Sequence, residues 1–246
     1  MEFDSIWFLN VCRKNSFAIG DSQFDLLSSY VTELLERNKT INLISRRDED
    51  TVWLRHVLAS VSILFQFRFS PESSILDLGT GGGLPGIPIA ILDPTLRVTL
   101  LDSITKKITA VRDILEEVKV DNVSTIMGRA EEIGRLPEHS HKFDYVLSRA
   151  VGPVVDLVKW GKLLLNHRTQ PVDAPPSGRE VIDPGTIVMM KGGNLDLELE
   201  SARRKFPSVV FDLHPIVVDG IEPGSLPDKK IIFARVVAHD TPNYSL

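Results

Sequence analysis

The sequence predicts an α/β fold: a mostly parallel sheet covered by helices on both faces, finished at one edge by an antiparallel pair and preceded by a helical N-terminal extension. Three observations carry that prediction. Short apolar runs alternate with segments of helical period from Ser74 onward. The first of these runs ends in an aspartate followed by a glycine cluster, Asp77 to Gly86. The last two runs, Val209–Val218 and Lys230–Val237, have no helical segment between them.

Taken in order, the first third is helical. Asp21 is a good helix-start residue, and Phe24, Leu27, Val31, Leu34 and Leu35 then recur at helix spacing. From Asp50, Trp53, Val57, Val61 and Leu64 do the same. No strand-like segment is evident before Ser73. Residues 1–70 are therefore read as a helical extension and residues 71–246 as the main domain. Strands are predicted at Ser74–Leu78, Val98–Leu101, Val123–Met127, Phe143–Leu147 and Ile187–Lys191. Ile108, Val111, Leu115 and Val118 make one helix face, and further helices fill 154–165 and 195–206. Residues 166–185 are proline-rich without apolar periodicity and read as an exposed loop.

Composition bounds the function. The 246 residues, 43% hydrophobic and 25% charged, suit one globular domain with a sizeable core rather than a disordered chain. No apolar run approaches the ~20 residues of a bilayer span. Glu2 and Asp4 break the pattern of a signal peptide. Cys12 is the single cysteine, so an internal disulfide and a cysteine metal cluster are excluded, and a reducing cytoplasm is the simplest location. The six histidines show no paired ligand spacing, and no metal site is expected. A net charge of −5 argues mildly against a nucleic-acid partner, but RNA binding draws on local patches. Lys39, Arg46, Arg47, Arg55 and His56 form such a stretch.

The strongest chemical signal is Ile75-Leu76-Asp77-Leu78-Gly79-Thr80-Gly81-Gly82-Gly83-Leu84-Pro85-Gly86-Ile87-Pro88. It reads as a buried strand, a glycine turn and a helix start, which puts a ligand crevice at the carboxyl edge of the sheet. Asp102 ends the next strand, where a carboxylate can accept hydrogen bonds from ribose hydroxyls. Two cofactors fit. Gly81, Gly83 and Gly86 formally satisfy the dinucleotide fingerprint, a weak signal alone. Asp77, Gly79, Gly81 and Gly83 satisfy the acidic-x-Gly-x-Gly-x-Gly pattern of methyltransferases. The acid favours S-adenosylmethionine, whose methionine end carries an ammonium and a sulfonium, over a pyrophosphate.

In these residues the chain resembles the bacterial 16S rRNA guanine-N7 methyltransferases, also called glucose-inhibited division protein B. The Gly79–Pro88 run is the most specific piece. Asn42-Leu43-Ile44-Ser45-Arg46, Arg55-His56, Leu100-Leu101-Asp102-Ser103, Arg129-Ala130-Glu131-Glu132, Ser148-Arg149-Ala150 and Lys191-Gly192 match further blocks in order. The resemblance implies a Rossmann-like class I methyltransferase with a seven-stranded sheet. It implies donor contacts at Gly79, Leu84, Asp102, Ser103, Ala130, Glu131 and Arg149, joining Asp77 and Gly81 of the turn. It implies a guanine of 16S rRNA, free or in the small ribosomal subunit, as substrate, with Asn42, Arg46, Arg55, His56 and Lys191 as candidate RNA contacts. A cytoplasmic monomer is expected. The chain departs from the pattern in a longer 166–185 loop and in Ala59, where an acidic residue is expected.

Guanine N7 carries a lone pair and no proton. Methylating it requires alignment rather than a base, and no catalytic acid or base is nominated. Plainer readings stand beside each residue. Arg149 and Lys191 suit surface ion pairs, Arg46, Arg47 and Arg55 a solvated helix face, and His56 a helix cap. Trp53 and Trp160 sit at helix spacing among apolar neighbours and read as core. A methyltransferase of another substrate would show a lidded apolar pocket. An oxidoreductase would need hydride-transfer residues, of which no convincing set is present. A non-catalytic RNA-binding relict is disfavoured by the intact turn with Asp77 and Asp102.

Overall fold

Apolar spacing places the first helices where the sequence expects them. In the computed structural model, which describes residues 3–166, 178–226 and 230–236, α1 (Ser5–Lys14) is capped by Asp4, whose carboxylate accepts from Trp7 N at 2.7 Å. α2 (Asp21–Asn38) buries Leu27, Tyr30, Val31, Leu34 and Asn38. A 3-10 turn (Arg46–Thr51) leads into a π-helix (Trp53–Leu58) and two short helical turns, α3 (Ala59–Val61) and α4 (Ile63–Gln66).

The chain then gives β1 (Phe67–Arg68), β2 (Ser74–Leu78), α5 (Gly86–Leu92), β3 (Arg97–Asp102), α6 (Thr105–Val118), β4 (Val123–Met127) and α7 (Ala130–Ile133). There follow β5 (Tyr145–Arg149), α8 (Val154–Leu164), β6 (Glu180–Val181), β7 (Thr186–Lys191), α9 (Asp196–Lys205), β8 (Val209–Pro215) and β9 (Lys230–Val236). Seven strands form one sheet in the order β4-β3-β2-β5-β7-β9-β8. The first five are parallel, while β9 runs antiparallel to both β7 and β8. Strand order reverses at β2, between β3 and β5, so a crevice opens at the carboxyl ends of these strands.

Both faces are covered, and alternate residues divide between them. Ile75, Val98, Leu100, Tyr145 and Val188 face α2, the π-helix, α5 and α6 in one apolar cluster. Leu76, Leu101, Val146, Ile187 and Met189 face α8 and α9 in the other. Phe8, Leu27, Leu34 and Val57 of the helical N-terminal third lie in the first cluster, so those helices roof one face of the sheet.

Three expectations need correction. A strand does precede Ser73: β1 pairs in parallel with β6, Phe67 against Glu180 and Arg68 against Val181. The same pairing corrects the reading of 166–185 as an exposed loop, since Glu180–Val181 is strand and Ile182 is only 4% exposed. Two-residue strands leave no periodicity to read. Residues 167–177 of that loop lie outside the described residues. The fifth strand begins two residues late, because Phe143 makes only an isolated bridge to Leu165.

Candidate active site

The turn after β2 is built by hydrogen bonds. Gly79 and Thr80 donate their N–H groups to the Leu101 carbonyl at 2.8 and 3.1 Å, which staples the turn to β3. Gly81 N donates to Asp102 Oδ2 at 3.0 Å. Tyr30 Oη donates to the Gly82 carbonyl at 2.9 Å, which fastens α2 to the same turn. Gly79 has φ +74°, and a Cβ there would stand 2.5 Å from Val151 Cγ2. Gly81 has φ +58°, in the left-handed region that side chains disfavour. Space is not its obstacle, since a Cβ there would meet only the Leu43 carbonyl, at 3.7 Å.

Asp77 lies beneath the turn, wholly buried. Its Oδ2 accepts from Thr80 Oγ1 at 2.7 Å and from Gly86 N at 2.9 Å. Among the described residues its Oδ1 has no hydrogen-bond partner. Burial pushes the carboxyl up to about 6, outweighing the hydrogen bonds from Thr80 and Gly86 and the attraction of Arg149. Asp77 does not itself line the cleft, which begins at its neighbours Leu78 and Gly79, but an open buried acceptor there suits a cationic group.

Asp102 ends β3 and is 8% exposed. Besides the Gly81 bond, its Oδ1 accepts from Ile104 N at 2.9 Å. Each oxygen therefore keeps a further lone pair for a ligand hydroxyl. A cleft of about 350 Å³ opens here, a size usual for small-molecule sites. Gly79, Asp102, Ser103, Ala130 and Glu131 line it, all predicted as donor contacts. Lys107, Arg129, Ala150, Val151 and Trp160 also line it, and sequence reasoning does not assign them to the donor. The block Ser148-Arg149-Ala150 points to this loop, but the sequence does not show that Ala150 takes φ +57° and turns the chain along the cleft wall.

Other predicted residues sit elsewhere. Leu84 is 7% exposed and belongs to the core at the foot of α5. Arg149 reaches across to the π-helix, its Nη2 donating to the Arg55 carbonyl at 2.7 Å. Trp160, expected in the core, is half-buried on α8: it packs against the second apolar cluster and also walls the cleft. Trp53 is in the core as expected, 5.3 Å from the Phe8 ring.

The candidate RNA contacts divide. Asn42, Ser45 and Arg46 are exposed on a loop beside the glycine turn, with Leu43 and Ile44 buried beneath. A Cβ on Gly82 would be 3.2 Å from Leu43 Cβ, so loop and turn touch. Arg55 Nε lies 3.6 Å from Asp48 Oδ1, and His56 Nε2 lies 3.3 Å from Asp48 Oδ2. The His56 side chain is only 13% exposed and faces Asp48 of the 3-10 turn rather than solvent. Both residues sit in the π-helix, a local irregularity common at functional sites. Lys191 is braced internally: its Nζ donates to the Gly152 carbonyl at 2.9 Å and pairs with Glu198 Oε2 at 2.7 Å. The same Glu198 oxygen accepts from Val154 N, so this pair fixes the segment after β5.

The arrangement offers a carboxylate-edged cleft for a small polar ligand and, beside the glycine turn, an exposed loop that leads into Arg46 and Arg47. A family model described as rRNA small subunit methyltransferase G matches residues 23–172. The chain is 39% identical over 213 residues to ribosomal RNA small subunit methyltransferase G of Parabacteroides distasonis, across 80% of this chain and 86% of that one. It is 37% identical over 231 residues to the protein of the same name from Chlorobium luteolum, across 92% and 87%. Among solved structures, the branched-chain polyamine synthase of Thermus thermophilus matches with a TM-score of 0.53 at 14% identity, across 85% of this chain and 63% of that one. That likeness shows a shared fold alone.

Proposed function

The chain belongs to the rRNA small subunit methyltransferase G family, and from that premise we propose that it transfers a methyl group from S-adenosylmethionine to N7 of a guanine in 16S ribosomal RNA. One observation carries the reading: a single glycine turn borders both halves of the site. Its Gly81 amide holds Asp102 of the donor cleft, and its outer face rests on Leu43 of the exposed Asn42–Arg46 loop.

S-adenosylmethionine, when bound, supplies a methyl group activated by a sulfonium. Every other task belongs to the chain. Asp102 and Ser103 hold ribose hydroxyls, Ala130 and Glu131 bracket the base, and Val151 and Trp160 exclude water. Asp77 Oδ1 receives the ammonium of the methionine end. Arg46 and Arg47, both exposed, grip RNA phosphates. Arg149 ties the cleft wall to the π-helix through the Arg55 carbonyl. No side chain has to remove a proton, because N7 presents a lone pair in the plane of the base. The chemistry is alignment in a desolvated cleft.

In this reading residues 1–70 present the RNA-facing loop and buttress the glycine turn through Tyr30, and residues 71–246 hold the donor. The protein works as a monomer in the cytoplasm, where small ribosomal subunits are made. No described helix is long and apolar enough to cross a membrane. The test is direct. Purified protein is incubated with donor carrying a labelled methyl group and with 16S rRNA or small subunits, and the RNA is digested to nucleosides. Label confined to 7-methylguanosine is the expected result. Label in another nucleoside, or none in either substrate, overturns the proposal.

A further inference from the structure

Asn38 is the last residue of α2 and is fully buried. Its side chain makes three hydrogen bonds that reach forward in sequence. Oδ1 accepts from Leu43 N at 2.9 Å and from Ile44 N at 3.0 Å. Nδ2 donates to Glu49 Oε1 at 2.6 Å. A single amide thereby fixes the buried middle of the Asn42–Arg46 loop and the 3-10 turn beyond it. Both ends of that grip reach the site. Leu43, held by Asn38, rests on Gly81 and Gly82 of the glycine turn. Glu49 sits next to Asp48, whose carboxylate faces Arg55 and His56 of the π-helix.

We propose that Asn38 is a positioning residue for the RNA substrate, its buried amide holding the Asn42–Arg46 loop and the Arg46–Thr51 turn in register with the glycine turn. This rests on the RNA reading above and deepens it. Leu43 N–H also donates to the Ile41 carbonyl at 2.7 Å, so Oδ1 shares that group and is the acceptor for the Ile44 N–H, a buried donor that is costly to leave unpaired. The exposed side chains Asn42, Ser45 and Arg46 are aimed by that backbone, whereas Asp102 and the cleft are held by separate bonds within the glycine turn and the segment after β3. Loss of the amide therefore acts on RNA and spares the donor.

The experiment is a comparison of methylation kinetics on 16S rRNA or small subunits, with donor-product affinity measured by calorimetry on the same samples. Asn38→Asp keeps the acceptor for Leu43 and Ile44 but loses the donor and sets a second carboxylate against Glu49. It raises KM for RNA by about tenfold or more, with affinity for S-adenosylhomocysteine within about twofold. Adding Glu49→Gln restores a donor across the pair and returns KM toward the wild-type value, which a merely structural defect would not do. Glu49→Ala, at a half-exposed residue, is the second variant should Asn38→Asp fold poorly, and it raises KM in the same direction. An unchanged KM in both single variants, or donor affinity falling in step with RNA, overturns the inference. So does failure of the double variant to recover. A wild-type protein that methylates neither substrate removes the functional reading and this inference together, whereas active wild type with indifferent variants removes this inference alone.

Discussion

Tyr30 and Gly82, 52 residues apart in sequence, are joined by a hydrogen bond from the phenol to the carbonyl. Tyr30 is fully buried on α2, and Gly82 lies at the crest of the glycine turn. Burial, followed by the charge of Asp77, raises the phenol well above its ordinary value, so it stays protonated and donates. The N-terminal helices are in this way part of the frame of the glycine turn. Tyr30→Phe leaves a buried carbonyl unpaired and costs about 1 to 2 kcal/mol in urea unfolding. It also weakens S-adenosylhomocysteine binding several-fold in calorimetry. Wild-type affinity in that variant would show that the turn keeps its shape without α2.

Gly81→Val tests the turn itself. The obstacle is conformational, because φ is +58° while a Cβ at this position would have only the Leu43 carbonyl nearby. A β-branched residue forced into that region costs about 1 to 2 kcal/mol or shifts the turn. Donor binding is lost while far-UV circular dichroism stays native, and Gly81→Ala shows a milder loss. A folded Gly81→Val protein with full affinity would move the donor away from this turn.

Asp77 sets a pH dependence whose sign is fixed by its shift. Burial raises its carboxyl from 3.8 to about 6 in the folded chain. The native state then holds the extra proton between those values, so this group's contribution to stability is full below 3.8 and is lost as pH rises through about 6. The span is about 3 kcal/mol at most. Donor binding runs the other way, since an ammonium pairs with the ionised form. Affinity for S-adenosylhomocysteine therefore falls as pH drops below about 6, by up to about tenfold per pH unit. Asp77→Asn weakens binding at pH 8 and flattens both profiles. A wild-type affinity that is level from pH 5 to pH 8 contradicts the assignment of the ammonium to Asp77.

Arg46→Glu with Arg47→Glu addresses the RNA face. Both residues are exposed on the loop and turn beside the donor site. If they neutralise phosphates, reversing them weakens RNA binding and lowers the slope of log affinity against log salt by about 0.7 to 0.9 for each phosphate left without its arginine. Donor affinity is the control and stays unchanged. Equal slopes for the two proteins would assign these arginines to a solvated face.

Much of this is legible in the chain. Buried parallel strands are near-continuous apolar runs, so the five parallel strands of the main sheet and its antiparallel edge pair can be placed in order. Asp77 and Asp102 stand out because they fall at the ends of such runs. What stays hidden depends on tertiary packing. Trp160 has the spacing of a core residue and does pack on the core, but the sequence does not show that it also lines the cleft. Lys191 has the place of a ligand-binding cation and is consumed by Glu198, a partner fixed by the packing of α9. The β1 and β6 strands are too short to carry a period, and the π-helix shares its apolar pattern with an α-helix.

The most direct measurement is a map of N7-methylguanosine across 16S rRNA from cells with the gene, without it, and with it restored. One guanine should lose its N7 methyl group on deletion and regain it on restoration, with the remainder of the RNA unaltered. An identical methylation map in all three strains would contradict the assignment of this chain to guanine N7 of 16S rRNA.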